Sequence, residues 1–244
     1  MIPKVIHYCW FGGNPLTELA EKCIESWHKF CPDYEIIRWD ESNFDISQNR
    51  YCTEAHECKK WAFVSDYARL KILYKHGGIY MDTDVEVTRN LDQFLAHPAF
   101  SGFEDETHIP TGIMASEKEG EWVKHLLSYY DDRPFILEDG NFDLTTNVES
   151  ITQMTLSKYP LSLNNTYQEA AGAFALYPFD FFCPKDCVTG KLHMTENTCT
   201  IHHFDGSWIP PVNRRNAVIY QWLICHLGKN TAELVKKIKR TIFK

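Results

Sequence analysis

Gly77-Gly78-Ile79-Tyr80-Met81-Asp82-Thr83-Asp84-Val85 is a short apolar run opened by two glycines and closed by two carboxylates. Ile79, Tyr80 and Met81 read as a buried strand, with the glycine pair as its punctuation. Alternation along a strand sends positions i and i+2 to one face, so Asp82 and Asp84 should project together and Thr83 away. Two neighbouring carboxylates are hard oxygen ligands. They suit a Mg²⁺ or Mn²⁺ that keeps coordination positions open for a phosphate. An Asp-x-Asp also occurs as an ordinary solvated turn, so the surrounding sequence decides its weight.

Upstream, Phe63 to His76 has helical spacing, with Trp61, Val64, Ala68, Ile72 and Leu73 able to face a core and Gly77 at the C-cap. Asp66 and Arg69 are three apart and share a face of that helix. On its own such a pair is an ordinary surface contact, but this helix runs straight into the aspartate strand. Before it, residues 3–8 read as a first strand and the glycines after Trp10 as a loop. Asn14-Pro15 opens a helix through Leu16, Leu19, Cys23, Trp27 and Phe30, and residues 34–39 form a second strand. This β–α–β–α–β order predicts an α/β sheet with largely parallel strands and a ligand crevice beyond their carboxyl ends, where Trp10 and the aspartates fall. Further strands are expected at 99–103, 112–116 and 198–203, helices at 121–130 and 147–158, and a flexible insertion from Arg133 to Asp143.

Ser65-Asp66-x-x-Arg69 followed by Gly77-Gly78-Ile79-Tyr80-Met81-Asp82-x-Asp84 resembles the signature of family 32 glycosyltransferases, retaining enzymes that use sugar nucleotides and are distant relatives of the glucosylating bacterial cytotoxins. Ile2-Pro3-Lys4-Val5-Ile6-His7-Tyr8-Cys9-Trp10-Phe11-Gly12-Gly13 is similar to that family's first strand and tryptophan-glycine loop. Ile201-His202-His203-Phe204-Asp205-Gly206-Ser207-Trp208 is similar, more loosely, to its closing His-x-x-x-Ser-Trp element. The resemblance implies a glycosyltransferase A-type nucleotide-binding α/β/α sandwich with a mainly parallel central sheet. It implies a Mn²⁺ (or Mg²⁺) cofactor, a nucleotide-sugar donor as co-substrate, and a glycan or lipid-linked glycan acceptor.

The same resemblance gives Asp84 direct metal contact and Asp82 the ribose and a metal-bound water. Asp66 is expected on the donor sugar hydroxyls and Arg69 on sugar or phosphate, where an arginine fork fits phosphate oxygens. Trp10 is expected to stack on the base, with Phe11 and Gly12 offering backbone hydrogen bonds. His202 and His203 are adjacent and face opposite ways on a strand. By resemblance His203 and Ser207 complete the metal set, with Trp208 near the leaving phosphates and Asp205 an additional oxygen. Asn147 is expected to cap a helix, with a donor contact as its other use. UDP-linked galactose, glucose or an N-acetyl derivative is the expected donor, and GDP-mannose the alternative. A phosphatase of the haloacid dehalogenase type also places Asp-x-Asp after a strand. Here, however, Glu86 stands where that motif has Thr or Val, and two structural units precede the aspartates. A binding module without turnover is the non-enzymatic rival.

The chain has 244 residues, 44% hydrophobic and 14% aromatic, enough for one substantial core. No window approaches the roughly 18 uninterrupted apolar residues of a membrane span. The first residues lack the pattern of a signal peptide. Nine cysteines without a Cys-x-x-Cys pair predict free thiols, hence a cytoplasmic protein. The net charge of −8 divides unevenly: from Lys229 onward six basic residues face one acid, leaving −13 on residues 1–228. An acidic body excludes nucleic acid as the natural partner. We therefore expect residues 1–228 to be the catalytic domain. Residues 229–244 are expected to be a basic amphipathic helix able to lie on an anionic membrane, on the inner face of the cell membrane.

Overall fold

The structure, a computed structural model, describes residues 1–109, 112–170 and 172–206. Ser207, Trp208 and the helix expected at 229–244 lie outside the described residues. The N-terminal elements are β1 (Val5–Cys9), α1 (Glu18–Phe30), β2 (Glu35–Trp39), α2 (Arg50–Glu57), α3 (Trp61–His76) and β3 (Gly78–Met81); all but α2, a helix the sequence reading did not mark, form as the periodicity predicts. Helix α1 starts after Asn14-Pro15, at Thr17, whose hydroxyl accepts from the Ala20 N–H at 3.1 Å. Gly77 caps α3, its N–H donating to the Leu73 carbonyl.

The remaining elements are β4 (Val85–Val87), β5 (Ala99–Gly102), β6 (Ile113–Ser116), α4 (Glu121–Leu127), α5 (Asn147–Lys158), β7 (Gln168–Ala170), β8 (Phe174–Tyr177), α6 (Phe179–Phe182) and β9 (Thr200–His202). The seven-stranded sheet has the order β2-β1-β3-β6-β5-β8-β7. Its β1–β2, β1–β3 and β5–β8 pairs are parallel, and its other pairs are antiparallel. Five strands therefore run one way, with β6 and β7 reversed. The sheet is mixed and mostly parallel.

Both faces are covered, which explains the unbroken apolar reading of β3. Tyr80 packs on one side with α2, α3, α4 and α5 through Tyr51, Ala55, Leu73, Trp122 and Ile151. Ile79 and Met81 pack on the other side with Trp27 of α1, Phe94 and Phe182 of α6. The result is an α/β/α sandwich.

The 133–143 segment is not the loose insertion the sequence suggested. Phe135 is fully buried, the Glu54 carboxylate accepts from the Phe135 and Ile136 N–H groups at 2.7 and 2.8 Å, and Arg133 Nε donates to Asp143 at 2.7 Å. Among the described residues, no helix is long and apolar enough to cross a membrane.

Candidate donor and metal site

Strand β3 ends at Met81, one residue short of the aspartates. Asp82-Thr83-Asp84 is a turn, closed by the Val85 N–H donating to the Asp82 carbonyl at 3.0 Å. The two carboxylates do converge, but the turn brings them together rather than strand alternation. The following β4 leaves the main sheet and pairs with β9, setting Val85 opposite His202. Helix α1 pins β4 from below: Trp27 Nε1 donates to the Val85 carbonyl at 2.7 Å, and the Val87 N–H to Ser26 Oγ at 2.9 Å. This small second sheet fixes which histidine meets the aspartates.

His202 is that residue. Its Nε2 lies 3.4 Å from Asp84 Oδ1, and ligand atoms of Asp82, Asp84 and His202 all lie within 4.8 Å of one another. His203 turns the other way and places Nε2 2.9 Å from Glu86 Oε2. The two histidines face opposite ways as expected, but it is His202, not the expected His203, that lies beside the aspartates. Asp205 enters through its backbone, whose N–H donates to Asp84 Oδ2 at 2.8 Å. Gly112 makes room for the ring: a Cβ there would sit 2.9 Å from His202 Nδ1. That nitrogen is buried without a hydrogen-bond partner among the described residues. Burial pushes the Asp84 carboxyl up, but His202 and the Asp205 N–H outweigh it and hold it at about 2. Burial likewise lowers His202, and Asp84 overrides it to leave the imidazole well above its usual range.

Arg69 organises the other half. It is buried, 5% exposed, with its guanidinium 4.6 Å from the centroid of the Tyr80 ring. Nη2 reaches Asp66 Oδ1 at 3.0 Å and Asp82 Oδ1 at 3.3 Å, while Nε donates to the Ser65 carbonyl at 3.2 Å. Tyr80 OH donates to Asp82 Oδ1 at 2.9 Å. The guanidinium expected on sugar or phosphate is thus engaged with the two carboxylates. Burial raises the Asp66 carboxyl to about 6 against the pull of Arg69.

Two further residues face this site: Asn147, for which a donor contact was the second expectation, and Glu104, which the sequence did not single out. Asn147 is the first residue of α5, not its cap: Thr146 holds that position. The Asn147 amide is buried, and neither its Oδ1 nor its Nδ2 has a close hydrogen-bond partner among the described residues. It lies near enough to lower the Asp66 carboxyl. Glu104 follows β5 at the same sheet edge, and burial raises its carboxyl next to His202 and Asp82. No local motif marks Glu104, which lies outside the Asp-x-Asp run in sequence. Trp10 and Phe11 follow β1 at that edge. Trp10 is half-buried with Nε1 donating to the Asn14 carbonyl at 2.7 Å. The Phe11 ring is core, edge-on to Phe44. The Gly12 N–H donates to Glu41 Oε1 at 2.7 Å.

Residues 17–101 match the family described as the glycosyltransferase sugar-binding region containing the DXD motif. A protein of Acanthamoeba polyphaga mimivirus, named an uncharacterized glycosyltransferase (L373), is 32% identical over 227 residues, covering 86% of this chain and 85% of that one. Inositol phosphoceramide mannosyltransferase 3 of Schizosaccharomyces pombe is 34% identical over 125 residues, 48% of this chain and 34% of that protein. The chain therefore spans about a third of the length of that yeast relative. Among solved structures, the PaToxG glycosyltransferase superposes with a TM-score of 0.49 at 19% identity, over 65% of this chain and 70% of that one.

Proposed function

Since the chain belongs to the glycosyltransferases that carry a DXD sugar-binding region, we propose that it is a metal-dependent, retaining hexosyltransferase. Its donor is a UDP-hexose and its acceptor a hydroxyl of a glycan or glycolipid in surface polysaccharide synthesis. The observation that carries this reading is the convergence of Asp66, Arg69, Asp82, Asp84 and His202 beyond the carboxyl end of β3. A mannosyltransferase using GDP-mannose is the second reading, favoured by the name of the fission yeast relative.

The donor set fits a divalent cation. Asp82 and Asp84 offer hard oxygens and His202 a nitrogen, a combination that suits Mn²⁺ as well as Mg²⁺. When bound, such a cation offsets the charge of the departing diphosphate without moving a proton. Asp84 would hold it directly, and its carboxyl, held at about 2, is ionised at every physiological pH. Asp82, steadied by Tyr80 and Arg69, would face the ribose. Asp66 would accept from hexose hydroxyls, with the buried Asn147 amide beside it. Arg69 acts as a positioning residue for both carboxylates. Asp66, Asp82 and Asp84 are committed to the sugar and the metal, so a front-face route is preferred in which the departing phosphate oxygen takes the proton of the incoming acceptor hydroxyl. Trp10 stacking on the base, Ser207 and Trp208 near the phosphates, and residues 229–244 on an anionic membrane complete the proposal.

The test is incubation with radiolabelled UDP-glucose, UDP-galactose, UDP-N-acetylglucosamine and GDP-mannose, with Mn²⁺ or excess chelator. Donor hydrolysis or transfer that chelator abolishes is expected. Release of phosphate from a simple ester would indicate a phosphatase. Binding of a nucleotide without turnover would indicate a binding module.

A further inference from the structure

A cavity of ≈ 460 Å³ lies where the last turn of α3 meets the loop between β6 and α4, lined by Lys71, Tyr74, Lys75, His76, Lys118 and Glu119. It opens at the amino end of β3, the sheet edge opposite the aspartates, and shares no residue with the donor site. The chain carries −8 overall, yet this surface inverts that sign: three ammonium groups surround one cavity with Glu119 as the single acid lining it.

None of these three lysines has an ion-pair partner among the described residues. Most lysine and arginine side chains in the described residues are engaged, in ion pairs such as Lys4–Asp33 and Arg50–Glu54, or on rings and carbonyls such as Lys60 on Phe142 and Lys185 on the His203 carbonyl. Lys59, Lys71, Lys75, Lys118 and Lys191 make no side-chain hydrogen bond, ion pair or ring contact among the described residues, and three of these five line this cavity. His76 sits between them, its ring 5.2 Å from Trp39 and 6.1 Å from His7. Burial, and then the like charges of Lys75 and Lys118, lower its imidazole. Glu119 and the negative end of the α3 dipole oppose an anion here, but they leave the balance positive.

Three ammonium groups, an imidazole and a phenol lining one cavity offer many donors to one compact anion with several oxygens, which is the chemistry of a phosphate group. We propose that this cavity is a binding site for a phosphate-bearing anion, separate from the donor site. The phosphate belongs either to a soluble phosphorylated compound or to the headgroup of an anionic lipid.

The full chain would be titrated calorimetrically with inorganic phosphate and pyrophosphate in EDTA, so that no metal draws either to the aspartates. It would also be co-sedimented with phosphatidylglycerol vesicles. The variants are K75Q/K118Q, both exposed positions, and K71Q/K75Q/K118Q. Saturable binding of the soluble anions, weakened about tenfold or more in K75Q/K118Q, supports a soluble ligand. Vesicle binding without soluble binding, lost in the same variant, supports a headgroup. By linkage, a bound anion must also raise the His76 imidazole, read by NMR, in the wild type and not in the variants. The proposal is overturned if neither probe binds, or if binding is the same in K71Q/K75Q/K118Q as in the wild type.

Discussion

Replacing Arg69 by Met keeps the length of the side chain and removes the one cation between Asp66 and Asp82. In the wild type that guanidinium lies 3.0 Å from one carboxylate and 3.3 Å from the other and is 5% exposed. Removing one partner of a buried pair costs about 3–5 kcal/mol, because the remaining charge is left uncompensated. Asp66, already raised to about 6 with Arg69 present, would rise further and take up a proton at neutral pH, which limits the loss. For a chain of this size each kcal/mol moves the melting point by about 2–4 °C, so R69M should melt roughly 6–20 °C lower. Lysine restores a charge but not the fork that spans two carboxylates, so R69K should fall between. Urea denaturation of wild type, R69M, D66N and the double variant gives the coupling between Asp66 and Arg69 directly. A loss below about 1 kcal/mol for R69M, the range of an exposed pair, would refute the assignment of Arg69 as the buried clamp.

Two other outcomes follow from the same geometry. His7 is buried, its Nε2–H donating to the Gly77 carbonyl at 2.9 Å and its Nδ1 accepting from Trp39 Nε1 at 3.1 Å. Burial lowers its imidazole to about 4. The unfolded chain therefore binds more protons between about pH 4 and 6.5, so stability should rise with pH across that window and be lost as pH is lowered through it, by on the order of 3 kcal/mol. Comparing denaturation of wild type and H7Q isolates this slope from the opposite one of Asp66; equal slopes would contradict it. D66N should lower turnover far more than it lowers UDP affinity, because UDP lacks the hexose. Equal losses in kinetics and calorimetry would place Asp66 elsewhere.

The first 90 residues were legible because their signals are local. The Gly77-Gly78 break, the spacing of Val64, Ala68 and Ile72, and the Val5–Cys9 run each declare an element within a few residues. Helix α2 was missed because it is mostly polar, burying Tyr51, Cys52 and Ala55 alone. Strands β7 and β8, of three and four residues, are too short for alternation to stand out. The Asp82–Asp84 pairing was anticipated, but its cause was not: the turn depends on β4 leaving the sheet to pair with β9. Long-range pairing also decided between His202 and His203, since Val85 opposite His202 is a register no local pattern encodes. Glu104 and Asn147 reach the site from β5 and α5, and only the folded chain brings them there.

The most direct test of the central claim is Mn²⁺ binding in the presence of UDP, followed by electron paramagnetic resonance, for wild type, D84N, H202A and H203A. If Asp82, Asp84 and His202 form the metal site of a sugar-nucleotide transferase, the wild type binds Mn²⁺ and chelator stops donor turnover. D84N and H202A should each lose about 10–100-fold or more in affinity, on the scale of losses seen even for groups that only support a metal's ligands. H203A, whose imidazole faces Glu86, should stay within about threefold of the wild type. Loss in H203A with retention in H202A, or turnover undiminished by excess chelator, would contradict the account.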